Sequence, residues 1–134
     1  MIHMLKETQI DEFSKFIKII FDEFVAGDYS SEGNKTFYDY IKVEDIKKRL
    51  KQGNIFFVEE LNNKIISGLE IRNLNHICLL FVDKEFQNKG FARKIFKTTL
   101  EYIQKQDQNV SFIEVNSSPF AKEIYKRMGF EEKS

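Results

Sequence analysis

The 134-residue chain has little cysteine, little proline and no net charge. Its one cysteine, Cys78, cannot form an intrachain disulfide or a multi-cysteine metal site, and a lone thiol suits a reducing cytoplasm. One proline and six glycines exclude collagen-like and disordered chains. Because 21 basic side chains balance 21 acidic ones, the basic excess typical of nucleic-acid binders is missing.

Long apolar runs are missing as well. The longest, residues 77–82, is far shorter than the ~20 residues that span a bilayer, and the first residues lack the basic flank and apolar run of a signal peptide. The chain does contain 42% apolar and 31% charged residues, with 14 Phe and 5 Tyr. This composition predicts a single globular domain over residues 1–134, located in the cytoplasm, with neither a membrane nor a nucleic acid as partner.

The N-terminal part of the chain has mainly helical periodicity. After a short strand at residues 2–6, apolar residues three and four positions apart predict an amphipathic helix over Ile10–Phe24, ended by Gly27. Residues 27–40 are polar with several aromatics and are predicted to be a loop. A second, shorter helix is predicted over residues 43–50.

Strand periodicity begins at residue 55. Residues 55–60 and 64–72 are rich in β-branched and aromatic side chains, and Asn62-Asn63 between them favours a hairpin turn because Asn tolerates positive φ. Residues 76–82 form the third strand of this antiparallel meander.

A strand–helix–strand crossover follows the meander. Gly90 opens its helix, and a strand at residues 110–115 completes it, which makes this strand parallel to the strand at residues 76–82. The last helix is predicted to start at Ser118 as N-cap and to stop at Gly129.

The loop before Gly90 fits an anion. Ligands collect beyond the carboxyl ends of parallel strands, where helix N-termini present free N–H groups. At that place Gln87, Gly90 and Ala92 form a Gln-x-x-Gly-x-Ala pattern. Three cationic side chains accompany it: Lys89, Arg93 and Lys94. The pattern predicts a pyrophosphate site; a tight turn with solvated lysines is the alternative.

A second group of candidates lies at the end of the chain. Asn116 ends the strand at residues 110–115, where its amide could hydrogen-bond a ligand, and Tyr125 follows on the last helix. Taken alone, Asn116 could simply cap a turn and Tyr125 could simply pack in the core.

Together the two segments resemble a known family. The first reads LLFVDKEFQNKGFARKIF and the second reads VNSSPFAKEIYKRMGF. The Val-Asp dipeptide, the Gln-x-x-Gly-x-Ala core and the closing Tyr-x-x-x-Gly-Phe resemble the GNAT superfamily of acyl-CoA-dependent N-acetyltransferases. The motifs cover about residues 76–130, and upstream only the order of elements is similar. The resemblance implies an α/β (α+β) fold: a mixed, mostly antiparallel sheet flanked by helices, with a central parallel strand pair splayed for acyl-CoA.

The resemblance also implies a cofactor site for acetyl-CoA as co-substrate and no metal. By similarity, the backbone of Leu80, Phe81 and Val82 binds the pantetheine arm, and the side chain of Asn116 contacts it. The loop residues expected around the pyrophosphate are Gln87, Asn88, Lys89, Gly90, Phe91, Ala92 and Arg93.

The implied reaction is direct acetyl transfer in a ternary complex to a primary amine, carried by a small molecule or a peptide. Tyr125 matches the general acid that protonates the departing thiolate, and a strand amide stabilises the oxyanion. His76 is the candidate base, since an unperturbed histidine titrates near ~6.5, with Glu70 or a water chain as alternatives. His76 could also simply be a histidine at the start of a strand that hydrogen-bonds to the backbone. No covalent intermediate is needed, so we expect Cys78 to be a core thiol. A non-catalytic acyl-CoA-binding sensor or interaction module is the alternative function.

One departure from the family pattern concerns the final strand. Family members usually continue after Gly-Phe into a strand, a turn and a last strand, whereas this sequence stops at Ser134. We therefore expect the last strand to be missing, by truncation or because a partner chain supplies it, and we prefer truncation. The strand at residues 110–115 would then have an unpaired edge, which favours association, for example as a homodimer.

Overall fold

A computed structural model describes residues 1–132 of the chain. Within this part, strands and helices alternate in an α+β order: β1 (Ile2–Met4), α1 (Ile10–Phe24), α2 (Ser31–Tyr40), α3 (Val43–Lys51), β2 (Ile55–Leu61), β3 (Lys64–Arg72), β4 (His76–Val82), α4 (Phe91–Gln106), β5 (Glu114–Val115) and α5 (Lys122–Arg127).

The strands form one mixed sheet in the order β1-β2-β3-β4-β5. All neighbouring pairs are antiparallel except β4 and β5, which are parallel, so the mixed, mostly antiparallel sheet is confirmed. The hairpin between β2 and β3 turns at Asn62 and Asn63, with φ of 52° and 63°, as the sequence predicts. The described residues place no strand on the other side of β5.

Helices cover both faces of the sheet. On one face, α1 and α3 bury apolar residues such as Phe13 and Ile46 against the β2–β4 meander. On the other face, α4 buries Ile95 and Ile103 against Leu69 and its neighbours. The helix predicted from residue 10 and the helix opened by Gly90 are both confirmed. Across the described part of the chain, no helix combines the length and the apolar character needed to cross a bilayer.

The predicted loop at residues 27–40 is wrong, because most of it is the helix α2. Ser30 caps this helix, its side-chain oxygen accepting the Gly33 N–H at 3.0 Å. Phe37 and Tyr40, three positions apart, are half-buried on the face that packs on the core. Three helices, not two, therefore precede the meander.

The end of the crossover is also shorter than predicted. Of residues 110–115, only Glu114 and Val115 form the strand β5. The last helix starts at Lys122, although the Ser118 side chain does accept the Ala121 N–H at 3.3 Å in the turn before it. The described residues, which end at 132, contain no strand after Phe130, in agreement with the sequence prediction.

Candidate functional site

A β-bulge interrupts β4 at Cys78. Glu70 of β3 pairs with Leu79, and the next residue, Ile71, pairs with Ile77, so Cys78 has no partner in this register. A bulge bends its strand and increases the local twist. The bulge therefore lies at the point where β4 turns away from β5.

β5 pairs with β4 only at His76 and Ile77. Beyond this point the two strands diverge and a first cavity, of about 200 Å³, opens between them. Residues 78–82 form its wall on β4, while Asn116 and Tyr125 contribute from the segment after β5. The structure thus brings the predicted pantetheine residues, Asn116 and Tyr125 to one cavity.

A second cavity, of about 180 Å³, adjoins the first at the start of α4. Gly90 has a φ of 88° and Asn88 a φ of 62°, so the loop turns sharply into the helix. The Gln87 side-chain amide donates to the Val82 carbonyl oxygen at 3.0 Å and holds the loop against the end of β4. Because the free N–H groups and the positive end of the α4 dipole point here, the cavity suits an anion.

The three cationic side chains predicted beside this loop have different partners. Lys94 turns to the sheet and pairs with the buried Glu59 at 2.6 Å, so its predicted contribution to the anion site is wrong. The Arg93 side chain lines the second cavity and donates to the Arg127 carbonyl oxygen at 2.7 Å. Lys89 lies with its amine 6.0 Å from the Phe86 ring centroid.

The sequence reasoning missed Arg127, which lines the second cavity from α5. Its position two residues after Tyr125 is the only signal the sequence offers. The cavity is therefore lined by one arginine from each of two helices, α4 and α5.

Tyr125 is almost fully buried against the first cavity. It is 7% exposed, and its ring makes an edge contact with Phe130 at 5.4 Å between centroids. Burial raises the pKa of the Tyr125 hydroxyl well above its ordinary value, so the hydroxyl is protonated at neutral pH. A buried, neutral phenol is a competent proton donor.

The two candidate bases lie apart from this cavity. His76 lines neither of the two cavities, and its Nδ1 is 3.9 Å from a Glu114 carboxylate oxygen. Glu70 is fully buried, and its carboxylate accepts hydrogen bonds from Arg49 Nε at 2.8 Å and Asn54 Nδ2 at 2.7 Å.

Cys78 lines the first cavity and is half-buried. Burial raises the pKa of its thiol, which keeps it protonated rather than nucleophilic.

Aromatic side chains of α1, of α2 and of the segment between them line the first cavity. We call Phe21, Tyr29 and Phe37 the aromatic wall. The rings of Phe21 and Phe37 stack with centroids 3.9 Å apart and an angle of 8° between planes. From the sequence, the aromatics of residues 27–40 could either form an apolar or cation-contacting wall or anchor a loop to the core, and Tyr29 and Phe37 do line the cavity. What the sequence prediction missed is the helix α2, although the spacing of Phe37 and Tyr40 is a helical signal.

Comparisons with known proteins agree with this geometry. A family model described as an acetyltransferase (GNAT) domain matches residues 25–134. An uncharacterized N-acetyltransferase of Methanocaldococcus jannaschii is 29% identical over 143 aligned residues, covering 98% of this chain. The chain spans only 62% of the length of that relative.

Solved structures share the fold. A GCN5-related N-acetyltransferase from Rhodopseudomonas palustris superposes with a TM-score of 0.86 at 14% identity, covering 100% of this chain and 82% of its own. The PaiA N-acetyltransferase of Thermoplasma acidophilum, solved in complex with coenzyme A, has a TM-score of 0.84 at 13% identity, covering 99% and 90%.

Proposed function

This chain belongs to the GNAT acetyltransferase family, and from that premise we propose that it moves an acetyl group from acetyl-CoA to a primary amine by direct attack in a ternary complex. One observation carries the proposal: the opening between β4 and β5, lined by Asn116 and Tyr125, adjoins the cavity at Gly90. We also propose that residues 1–134 are a single domain, since β1, which precedes the matched range, pairs with β2.

The two cavities fit the chemical parts of acetyl-CoA. Beyond Ile77, the edge of β4 that faces away from β3 is released from β5, so the backbone of residues 80–82 is free to bond an extended pantetheine arm as an added strand. The amides of residues 87–92 and the α4 N-terminus, with Arg93, supply donors and positive potential for the pyrophosphate. Bound acetyl-CoA supplies an activated thioester.

We assign the general acid to Tyr125. The amine nitrogen attacks the thioester carbonyl, the new N–C bond forms, and the C–S bond breaks. The Tyr125 proton passes to the departing sulfur, and the position of Tyr125 in the lining of the cavity supports this role. We assign the oxyanion donor to a backbone N–H of β4 beside the bulge at Cys78, and the unpaired backbone there supports this assignment.

We assign the general base to His76, acting through water. Glu70 is the weaker candidate because its carboxylate is fully buried and accepts hydrogen bonds from Arg49 and Asn54, which leaves it no approach to the amine. His76 is half-buried at the start of β4, outside the two cavities, so a water must relay the amine proton to its ring.

Binding is tested by titrating coenzyme A calorimetrically against a matched pair of glycine variants. Gly90 and Gly53 both have positive φ, 88° and 104°, and neither would place a new Cβ within 4 Å of another atom. Gly90→Ala and Gly53→Ala therefore share the same backbone strain. We expect Gly90→Ala to weaken binding about tenfold or more, ~1.4 kcal/mol, and Gly53→Ala to leave it unchanged. Equal affinities in the two variants would contradict the assignment of the loop.

Turnover is tested by measuring free thiol release with a panel of primary amines. Tyr125→Phe should lower the rate while keeping coenzyme A affinity. Binding of coenzyme A without turnover on any amine would support a non-catalytic acyl-CoA sensor instead.

A further inference from the structure

The aromatic wall lines the first cavity from the helices, whereas Leu80, Phe81 and Val82 line it from β4. Phe37 bridges to β4, with its ring centroid 6.1 Å from that of Phe81, so the rings form one surface from α1 and α2 to the strand. Tyr29, 43% exposed, stands at the mouth of this wall. An acceptor that approaches the thioester from the side of the helices must pass these rings.

This cavity has no charged lining. Among the described residues that line it, none is Asp, Glu, Lys, Arg or His. The acids next to Phe21 in the sequence are engaged elsewhere: Asp22 pairs with Lys18, and Glu23 pairs with Lys84. Asp28 is exposed outside the wall, close enough that its charge adds to the burial that raises the pKa of Tyr29.

The size of the cavity limits the acceptor. Its volume is about 200 Å³, and a protein cavity of roughly 150 Å³ accommodates one benzene molecule. In the proposed function the pantetheine arm and the thioester share this volume, so only the part beside the aromatic wall remains for the acceptor. That part suits a body no larger than about one ring or a short alkyl chain next to the reacting amine.

We infer, on the basis of the proposed function, that the acceptor is a small monoamine with an uncharged apolar body, an arylalkylamine or a short alkylamine. The body packs on the aromatic wall, and the one amino group reaches the thioester in its neutral form. A second ammonium, as in a polyamine or an aminoglycoside, would lose water in this cavity without gaining a carboxylate partner.

The experiment compares hexylamine with 1,6-diaminohexane, which differ by one terminal amino group, and includes phenethylamine and kanamycin. The rate constant kcat/KM is measured by thiol release at saturating acetyl-CoA. We expect hexylamine and phenethylamine to exceed the diamine by roughly tenfold to a hundredfold, the penalty for a buried unpaired charge, and kanamycin to react slowest.

A variant pair tests whether the wall itself causes this preference. Tyr29→Glu places a carboxylate at the mouth of the wall and should reduce the hexylamine preference about tenfold, through a gain for the diamine. The matched control is Phe112→Glu, because Phe112 is also an exposed aromatic, 57% exposed, but does not line the cavity. It should leave the preference unchanged.

The outcomes separate this inference from the proposed function. Turnover with equal or better rates for the diamine or kanamycin overturns the inference alone. The inference also fails if hexanoyl-CoA reacts faster than acetyl-CoA and Tyr29→Glu changes only that acyl preference, because the wall then faces the acyl chain. If none of the amines causes thiol release, the proposed function is overturned. Calorimetric titration of hexylamine and of the diamine into the coenzyme A complex then decides the inference, and equal affinities refute it.

Discussion

Replacing Arg49 with methionine probes the buried ion pair that ties α2 and α3 to the sheet. Arg49 Nε donates to Glu70 Oε2 at 2.8 Å, and the Glu70 side chain has no exposed surface. The same guanidinium donates to the Tyr40 carbonyl oxygen at 2.6 Å and lies 3.6 Å from the Tyr40 ring centroid. Methionine keeps much of the length of arginine but removes all three interactions.

The expected loss is large because the Glu70 charge stays in the core without its cation. Breaking one partner of a buried ion pair costs about 3–5 kcal/mol, a substantial part of a total stability of about 5–15 kcal/mol. The double variant Arg49→Met/Glu70→Leu removes both charges. It should lose only about 1–3 kcal/mol, for the missing contacts with Tyr40 and for the Asn54 amide, which loses its acceptor.

The assay is urea unfolding of the wild type and both variants at neutral pH. The free energy of unfolding is compared only where the slope against urea is unchanged, since a changed slope reports a different unfolded or native state. If the double variant is as unstable as Arg49→Met, the uncompensated charge is not the cause of the loss. The stacking of Arg49 on Tyr40 would then account for it, and the reasoning from the ion pair would be refuted.

Three further predictions concern packing and catalysis. A Cβ at Gly68 would lie 2.5 Å from Cε1 of the fully buried Phe13, so Gly68→Ala should lower the free energy of unfolding in urea by about 1–3 kcal/mol. The control is Gly27→Ala, whose new Cβ has no atom within 4 Å and whose free energy of unfolding should stay within ~0.5 kcal/mol of the wild type. Tyr125→Phe should lower kcat by about 10²–10⁴-fold. Because burial raises the pKa of Tyr125, its proton is retained as pH rises, and the kcat of the wild type should show no alkaline loss from this group below pH ~10. Such a loss would contradict the assignment. His76→Gln should remove the acidic limb of the pH dependence of kcat/KM, because an amide cannot accept the proton; an unaltered limb would assign the base elsewhere.

Much of the fold could be predicted because the backbone conformations that the local sequence favours are the ones that the fold requires. The apolar, β-branched run within residues 64–72 favours a strand, and Asn62-Asn63 and Gly90 favour turns with positive φ; the structure adopts each of these conformations. The segment of α2 could not be predicted because its polar residues face solvent and only a few rings hold it to the core. Its helical state depends on stacking with α1, a contact distant in sequence.

For the site, too, the arrangement of residues within one element could be predicted, whereas contacts between elements could not. Spacing along one element brought Gln87, Gly90 and Ala92 to one loop. Contacts between elements could not be predicted from spacing. The bulge at Cys78 depends on the register with β3, and the position of the Lys94 amine depends on its ion pair with Glu59 of β2. A sequence shows which side chains are charged, but only the packing shows which of them already have a partner.

The short pairing of β5 has a thermodynamic consequence. β4 is a strand with one edge bonded to β3 along most of its length and the other edge bonded only at His76 and Ile77, so the remaining backbone groups on that edge depend on water or a ligand. On our proposal, acetyl-CoA completes this edge and binds only the folded chain. A ligand present at 100 times its dissociation constant then adds about 2.7 kcal/mol to folding stability. The lifetime of the protein in the cell would therefore follow the supply of its co-substrate.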